Sequence, residues 1–369
     1  MDGQSCGDHD AKEKNVRGLI KFAAVAASAA MVLAACGGGD DDEAPSATTG
    51  TTSAAVTSDL KVGVAYDIGG RGDQSFNDSA AAGLDKAKAE LGIEVKELEA
   101  GQNETDAQKE ERLRLLADGG YSPIIAIGFA YAAALGKVAP DYPEVQFAIV
   151  DDSSITAGNV TSLVFSEEQG SYLVGVIAAQ ASKAGHVGFI GGVNVPLIQK
   201  FEAGFEAGVK SVSPDAKVDV AYLTEPPDFT GFNDPAKGKT TAQGMLDSGA
   251  DVIYAAAGGS GSGMFEAVAA KDGAWAIGVD SDQYLTASDA VKPRVLTSML
   301  KRVDNAVFLY VKSIAVGTPL TGVQTFDLST DGVGYSTSNS AVEPFTAKAD
   351  EAAQQIMDGA VTVPTAPAS

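Results

Sequence analysis

The chain has 369 residues, is 45% hydrophobic and carries a formal net charge of −23. So acidic a surface excludes a nucleic-acid binder and a protein that lies flat on an anionic membrane, since both need clustered lysine and arginine. Two cysteines and two histidines leave little for thiol or zinc chemistry.

The first segment reads as an address. Lys14, Arg17 and Lys21 form a positive start, and residues 22–35 are small and apolar but too short to span a bilayer comfortably. Leu33-Ala34-Ala35-Cys36, followed by Gly37, fits the lipobox of bacterial lipoproteins. The expected events are removal of a signal peptide at residues 1–35 and lipidation of the Cys36 sulfur, which leaves the protein anchored on the extracytoplasmic face of the cell membrane. Met1 to Glu13 is long for a signal, so a translation start near Val16 stays open. Residues 36–59 are Gly, Asp, Ser, Thr and Ala with almost nothing to bury, the composition of a flexible tether. Asp40-Asp41-Asp42-Glu43 lacks the alternating ligands of a calcium loop and reads as a solvated spacer. Cys6 leaves with the signal, so the mature domain has no disulfide and must be held by core burial. Residues 1–35 hold four basic and four acidic side chains, so the mature part keeps the whole negative charge.

From Leu60 onward, strand patterns alternate with helical ones. Strands are expected at 62–66, 95–98, 124–127, 146–150, 163–165, 187–190, 218–223, 252–256, 276–279 and 295–299. Helices are expected at 79–91, 107–118, 170–182, 197–212, 236–247, 263–271 and 303–316. This is an α/β chain with mostly parallel sheets, and the strand count exceeds one comfortable sheet. Two Rossmann-like lobes joined by a multi-strand hinge fit better, with 60–165 and 281–318 in lobe I, and 166–280 and 319–369 in lobe II. On this division the pair 295–316 returns to the first lobe, the tail completes the second, and a ligand cleft lies between them.

The first strand runs into a glycine-rich loop, Asp67-Ile-Gly-Gly-Arg-Gly-Asp-Gln-Ser-Phe76-Asn77, and then a helix. Open α/β sheets hold small ligands at such carboxyl ends. Asp67 can accept two hydrogen bonds from vicinal hydroxyls, although aspartate after a strand is also a common turn residue. Phe76 can stack on a planar ring or staple the helix, and Asn77 can be an N-cap. The loop has no lysine to cradle a phosphate. Arg71-Gly72-Asp73 lies inside this coherent turn and is read as part of it, not as an adhesion motif.

Two more apolar strands close on acid, Phe147-Ala-Ile-Val-Asp151-Asp152 and Trp275-Ala-Ile-Gly-Val-Asp280. Each alone is an ordinary capped strand end; three in one chain are harder to dismiss, because carboxyl ends of parallel strands share an edge. Lys301 can donate to a hydroxyl or neutralise clustered carboxylates. The loop Gly258-Gly259-Ser-Gly-Ser-Gly263 has no dinucleotide-binding register, and Gly238-Lys239-Thr240 lacks the upstream glycine of a P-loop. The Gly258 loop reads instead as a close backbone approach to an uncharged ligand. His186, the only mature histidine, starts a strand, which is its default role. Catalysis looks thin, and no metal or cofactor is expected.

In order through nearly the whole mature domain, the chain resembles the basic membrane protein family of nucleoside-binding ABC-transporter lipoproteins. The matching stretches include Asp73-Gln-Ser-Phe-Asn77, Phe147-Ala-Ile-Val-Asp151, Ser162-Leu-Val-Phe-Ser-Glu-Glu-Gln-Gly-Ser-Tyr172, Phe201-Glu-Ala-Gly204, Phe232-Asn-Asp-Pro-Ala-Lys-Gly238 and Gly278-Val-Asp-Ser-Asp-Gln283. The resemblance implies a type I periplasmic-binding-protein fold, a monomer that closes on a purine nucleoside (inosine, guanosine or adenosine) and delivers it to an ABC permease. It implies that Phe76 and Phe232 sandwich the base, with Phe229 a competitor for the second place. It also implies that Asp151 meets the base edge, Asp152 standing beside it as a rival, and that Asp67, Asp280 and Lys301 hold the ribose. Gly258 or Gly259 would lend backbone, and Asn77 would support the first loop. Alternatives are a sugar or autoinducer binder on the same fold and a carboxylate-based nucleoside hydrolase. The dense Asp-x-Asp-x-x-x-Asp-Asp pattern of such hydrolases is absent after the first strand.

Overall fold

The computed structural model describes residues 59–101 and 104–368. The signal peptide, Cys36 and nearly all of the tether lie outside the described residues. The first half runs β1 (Lys61–Ala65), α1 (Phe76–Leu91), β2 (Glu94–Leu98), α2 (Asp106–Asp118), β3 (Ile124–Ala126), α3 (Ala132–Val138), β4 (Phe147–Val150) and β5 (Val160–Phe165). It continues through α4 (Glu167–Ala181), β6 (His186–Val193), α5 (Pro196–Val212), β7 (Lys217–Thr224), α6 (Pro235–Asp247), β8 (Val252–Ala256) and α7 (Gly261–Ala269). The rest is β9 (Trp275–Asp280), α8 (Gln283–Thr286), β10 (Val295–Lys301), α9 (Val303–Ala315), β11 (Gly322–Phe326), β12 (Val333–Tyr335) and α10 (Glu343–Met357).

Two six-stranded sheets result, ordered β11-β5-β4-β3-β1-β2 and β12-β10-β9-β8-β6-β7. Among the described residues every pairing of these strands is parallel except that of β10 with β12. The central strands are buried along their length, as at Ile124–Ala126, Phe147–Val150 and Val252–Ala256, which matches their unbroken apolar runs. Helices cover the faces, and the fold is α/β with two Rossmann-like lobes.

One expected assignment is corrected. β10 belongs to the second sheet, pairing with β9 and β12, while only its helix α9 returns to pack on α1 of the first lobe. The tail divides as well: β11 joins the first sheet and β12 the second. An apolar strand looks the same in either sheet, so local pattern could not place it. The chain thus crosses between lobes after β5, after β10 and between β11 and β12. These crossings are tied by backbone hydrogen bonds, Ser166 to Phe326 at 3.0 Å and Arg302 to Gly332 at 2.9 Å.

Helix α4 begins one turn earlier than its pattern indicates, because Glu167 and Glu168 complement the positive end of the helix. It packs on α5 at very close range through Gly175, Gly204 and Gly208. A methyl group on Gly204 would run into the Glu168 carbonyl, and one on Gly208 into that of Tyr172. Gly204→Ala is therefore expected to lower unfolding free energy by about 1–3 kcal/mol through overpacking. Urea unfolding checks this, and an unchanged midpoint would mean that the two helices separate without cost.

Candidate functional site

The loop after β1 is organised by Asp73. Its carboxylate accepts from the backbone N–H of Ser75 at 2.9 Å, of Asn77 at 2.9 Å and of Asp78 at 3.1 Å, capping α1. Asn77, buried beneath it, accepts from the Asp67 N–H at 3.2 Å and donates to Ile68 O at 3.3 Å. The Asn77 amide therefore sets the loop's shape and leaves Asp67 free to face the cleft. Arg71 pairs with Glu97 at 2.5 Å and Asp85 at 3.0 Å, which places the Arg-Gly-Asp tripeptide in the loop's own ion pairs.

One cavity, about 570 Å³ of space including its mouth, lies between the carboxyl ends of the two sheets. Asp67, Phe76, Asn77, Asp151, Phe232, Gly258, Asp280 and Lys301 all line it. Gly259 does not; it packs between Asn233 and Asp73. Asp151 faces the cavity, whereas Asp152 turns away and accepts from Ser154 N–H at 2.8 Å. Phe232 lines the cavity, whereas Phe229 lines a wider vestibule outside it that shares Asp67 and Ile68. Gly258 sits at φ 55°, and a side chain there would press on the Phe232 carbonyl.

The carboxylates are held in distinctive backbone. Asp151 follows β4 at φ 70° and Asp280 ends β9 at φ 64°, left-handed geometry that aspartate tolerates through local hydrogen bonding. One lies on each sheet, and between them stands Lys301, 2% exposed. Its ammonium donates to Asp151 Oδ2 at 2.6 Å and lies 3.3 Å from Glu167 Oε1. Three rings enclose it: Phe76 and Phe165 at 5.1 Å and Phe201 at 5.6 Å from their centroids. Asp280 accepts from Ser75 Oγ at 2.5 Å, a bond between lobes, and Gln283 reaches the same loop by donating to Gln74 O at 2.9 Å.

Burial raises these acids. It pushes Asp280 up to about 7 against the pull of Lys301 and Ser75. It pushes Asp67 up to about 6 against its bond from the Ile68 N–H and the charges of Lys109 and Arg112. Asp151 is also raised by burial, in spite of Lys301. Lys301 is pulled down by burial, but Asp151, Glu167 and Asp280 together hold it above the ordinary lysine value. The chamber has flat apolar walls, charged acceptors and one buried cation, suited to a ring bearing several hydroxyls.

Sequence reasoning missed Asp73, Phe129 and Phe201, which line the cavity, and Glu167 behind it. Phe129 meets Phe232 edge-on at 6.4 Å and so backs that ring. Its signal was available, since it follows the end of β3. His186 starts β6, contacts Asp219 at 2.8 Å and is not among the cavity's lining residues. Among the described residues no cluster of His, Cys, Asp or Glu could hold a metal ion, and no helix is long and apolar enough to cross a membrane.

Comparison with known proteins gives a concordant result. The model of the Bmp family, PnrA-like ABC transporter substrate-binding proteins, matches residues 60–366. The chain is 36% identical over 336 residues to the ABC transporter nucleoside-binding protein BmpA of Lactococcus lactis subsp. cremoris, covering 85% of this chain and 91% of that one. It is 34% identical over 290 residues to a lipoprotein of Pyrococcus furiosus, covering 75% of this chain and 70% of the relative. An ABC transporter solute-binding protein of Aeropyrum pernix K1 superposes with a TM-score of 0.71 at 30% identity, over 83% of this chain and 93% of that structure.

Proposed function

Because the chain belongs to the Bmp family of PnrA-like ABC transporter substrate-binding proteins, we propose that it captures a purine nucleoside between its lobes and delivers it to a membrane permease. One observation carries this reading: a single cavity has Phe76 on the first lobe, Phe232 on the second, and Asp67, Asp151, Asp280 and Lys301 around them. Two rings from opposite lobes match the two faces of a base. The carboxylates accept from ribose hydroxyls and from a base N–H, and Lys301 donates to a hydroxyl oxygen. The acidic lining repels a phosphate, which favours a nucleoside over a nucleotide. The protein supplies capture and no bond breaking. Cys36 anchors it by lipid to the extracytoplasmic face, and it acts as a monomer.

Calorimetry of the purified chain, stripped of copurified ligand, tests the reading with inosine, guanosine, adenosine, cytidine and ribose. A purine nucleoside is expected to bind and ribose to bind far more weakly. Phe232→Ala is expected to weaken nucleoside binding roughly 5- to 150-fold, the worth of one stacked face. Equal affinity for ribose and inosine would replace the nucleoside by a sugar, and steady release of hypoxanthine from inosine would make the protein a hydrolase.

A further inference from the structure

Glu167 is fully buried in the first turn of α4, immediately after the first crossing between lobes, and it is not among the residues that line the cavity. One of its oxygens lies 3.3 Å from the Lys301 ammonium, and the other is 3.1 Å from the Lys200 ammonium. Lys200 is fixed in turn, donating to Phe165 O at 3.3 Å. Lys301 has three N–H groups and no acceptor. One is spent on Asp151 at 2.6 Å, and Glu167 Oε1, 3.3 Å away, draws the ammonium by charge without accepting a hydrogen bond from any group. With the rings of Phe76, Phe165 and Phe201 around the remaining directions, a free lysine head would have several rotations open to it. Two carboxylates on two different elements, one bonded and one acting by charge, narrow that choice.

Resting on the nucleoside reading above, we propose that Glu167 is the positioning residue for Lys301: its charge holds the ammonium so that an N–H not spent on Asp151 meets a ribose hydroxyl. Glu167 touches no ligand itself. Its effect on binding runs through Lys301, so it acts chiefly on that part of the ligand which Lys301 grips. Lys200 serves as its counter-anchor, holding the far oxygen so that the near one cannot swing away.

The test compares two probes on three proteins. Inosine and 2′,3′-dideoxyinosine share a base and differ in the hydroxyls. Both are titrated into the purified wild-type chain, Glu167→Gln and Glu167→Asp. Glu167→Gln keeps the shape and removes the charge; Glu167→Asp keeps the charge and withdraws the oxygens by one methylene. Each variant is expected to lose roughly tenfold or more in affinity for inosine and little for the dideoxy analogue, as loss of an aligned charged hydrogen bond requires. The aspartate variant also serves if the glutamine variant fails to fold. Equal losses for both probes, or no loss for either, in variants that fold would overturn the role of Glu167 while leaving the nucleoside reading intact. A folded wild-type chain that binds no nucleoside would overturn that reading and the role of Glu167 with it.

Discussion

Replacing Lys301 by methionine is expected to lower unfolding free energy by about 3–5 kcal/mol at about pH 8, the usual cost of leaving a buried charge without its partner. Lys301 and Asp151 are 2% and 4% exposed at their side chains, and Glu167 is fully buried beside them. Methionine fills much of the same volume among Phe76, Phe165 and Phe201, so lost packing is a minor part of the cost. What remains is Asp151 without its cation, beside a Glu167 that keeps only Lys200. Asp151 is already raised by burial, and Lys301 is what restrains that rise. Without the lysine, Asp151 takes up a proton more readily, so the cost of the substitution should shrink as the pH falls toward about 5. Denaturant unfolding of both proteins at the two pH values checks this. An equal cost at both would mean that the ammonium contributes packing and not charge balance.

Nucleoside binding near neutrality is expected to release protons, while ligand-free stability runs the other way with pH. Asp280 stands at about 7, so near neutrality it is protonated about half the time. A diol donates two hydrogen bonds only to the ionised form, so the ligand selects that form and expels the proton. Calorimetry of inosine in buffers of different ionisation enthalpy should count roughly half a proton released at about pH 7, and affinity should fall as the pH drops through about 7.

For the protein without ligand the sign reverses. A carboxylate raised in the folded state contributes stability fully present below its unfolded value and lost as pH rises through its folded one. Asp280, raised from 3.8 to about 7, should make the ligand-free protein more stable near pH 5 than near pH 8, by on the order of a few kcal/mol. Asp67, raised to about 6, adds in the same sense. Asp219, lowered to about 2 by Ser248, Lys217 and His186 against the effect of burial, acts below this window and does not offset them. A melting temperature that is flat between the two pH values, or binding without proton release, would remove Asp280 from the centre of the site.

Much of this site was legible in the sequence because it is written at strand ends. An apolar run that closes on aspartate marks the carboxyl edge of a parallel strand, and Asp67, Asp151 and Asp280 reach the cavity for that reason. An ordered family stretch then supplied Phe232, while Lys301 was visible as a cation closing an apolar strand; both lie far from the first loop in the chain. Less legible was anything decided by which sheet a strand enters. Val295–Lys301 is apolar whichever sheet it joins, and its register against β9 is a long-range choice. Phe129 was passed over because one aromatic after a strand is commonplace, and Glu167 because an acid in the first turn of a helix already has an explanation. Its second role exists only where β10 brings a lysine to it.

The hydrogen bonds that join Ser75 to Asp280 and Gln74 to Gln283 link the two lobes through the chain's own groups. The occupancy of the binding-competent arrangement is then a property of the protein, and it multiplies every association constant by the same fraction. Ratios between ligands cancel that fraction, while absolute affinities carry it. Selectivity and affinity are therefore separately adjustable in this molecule: the first by the side chains that line the cavity, the second by residues that stand outside it.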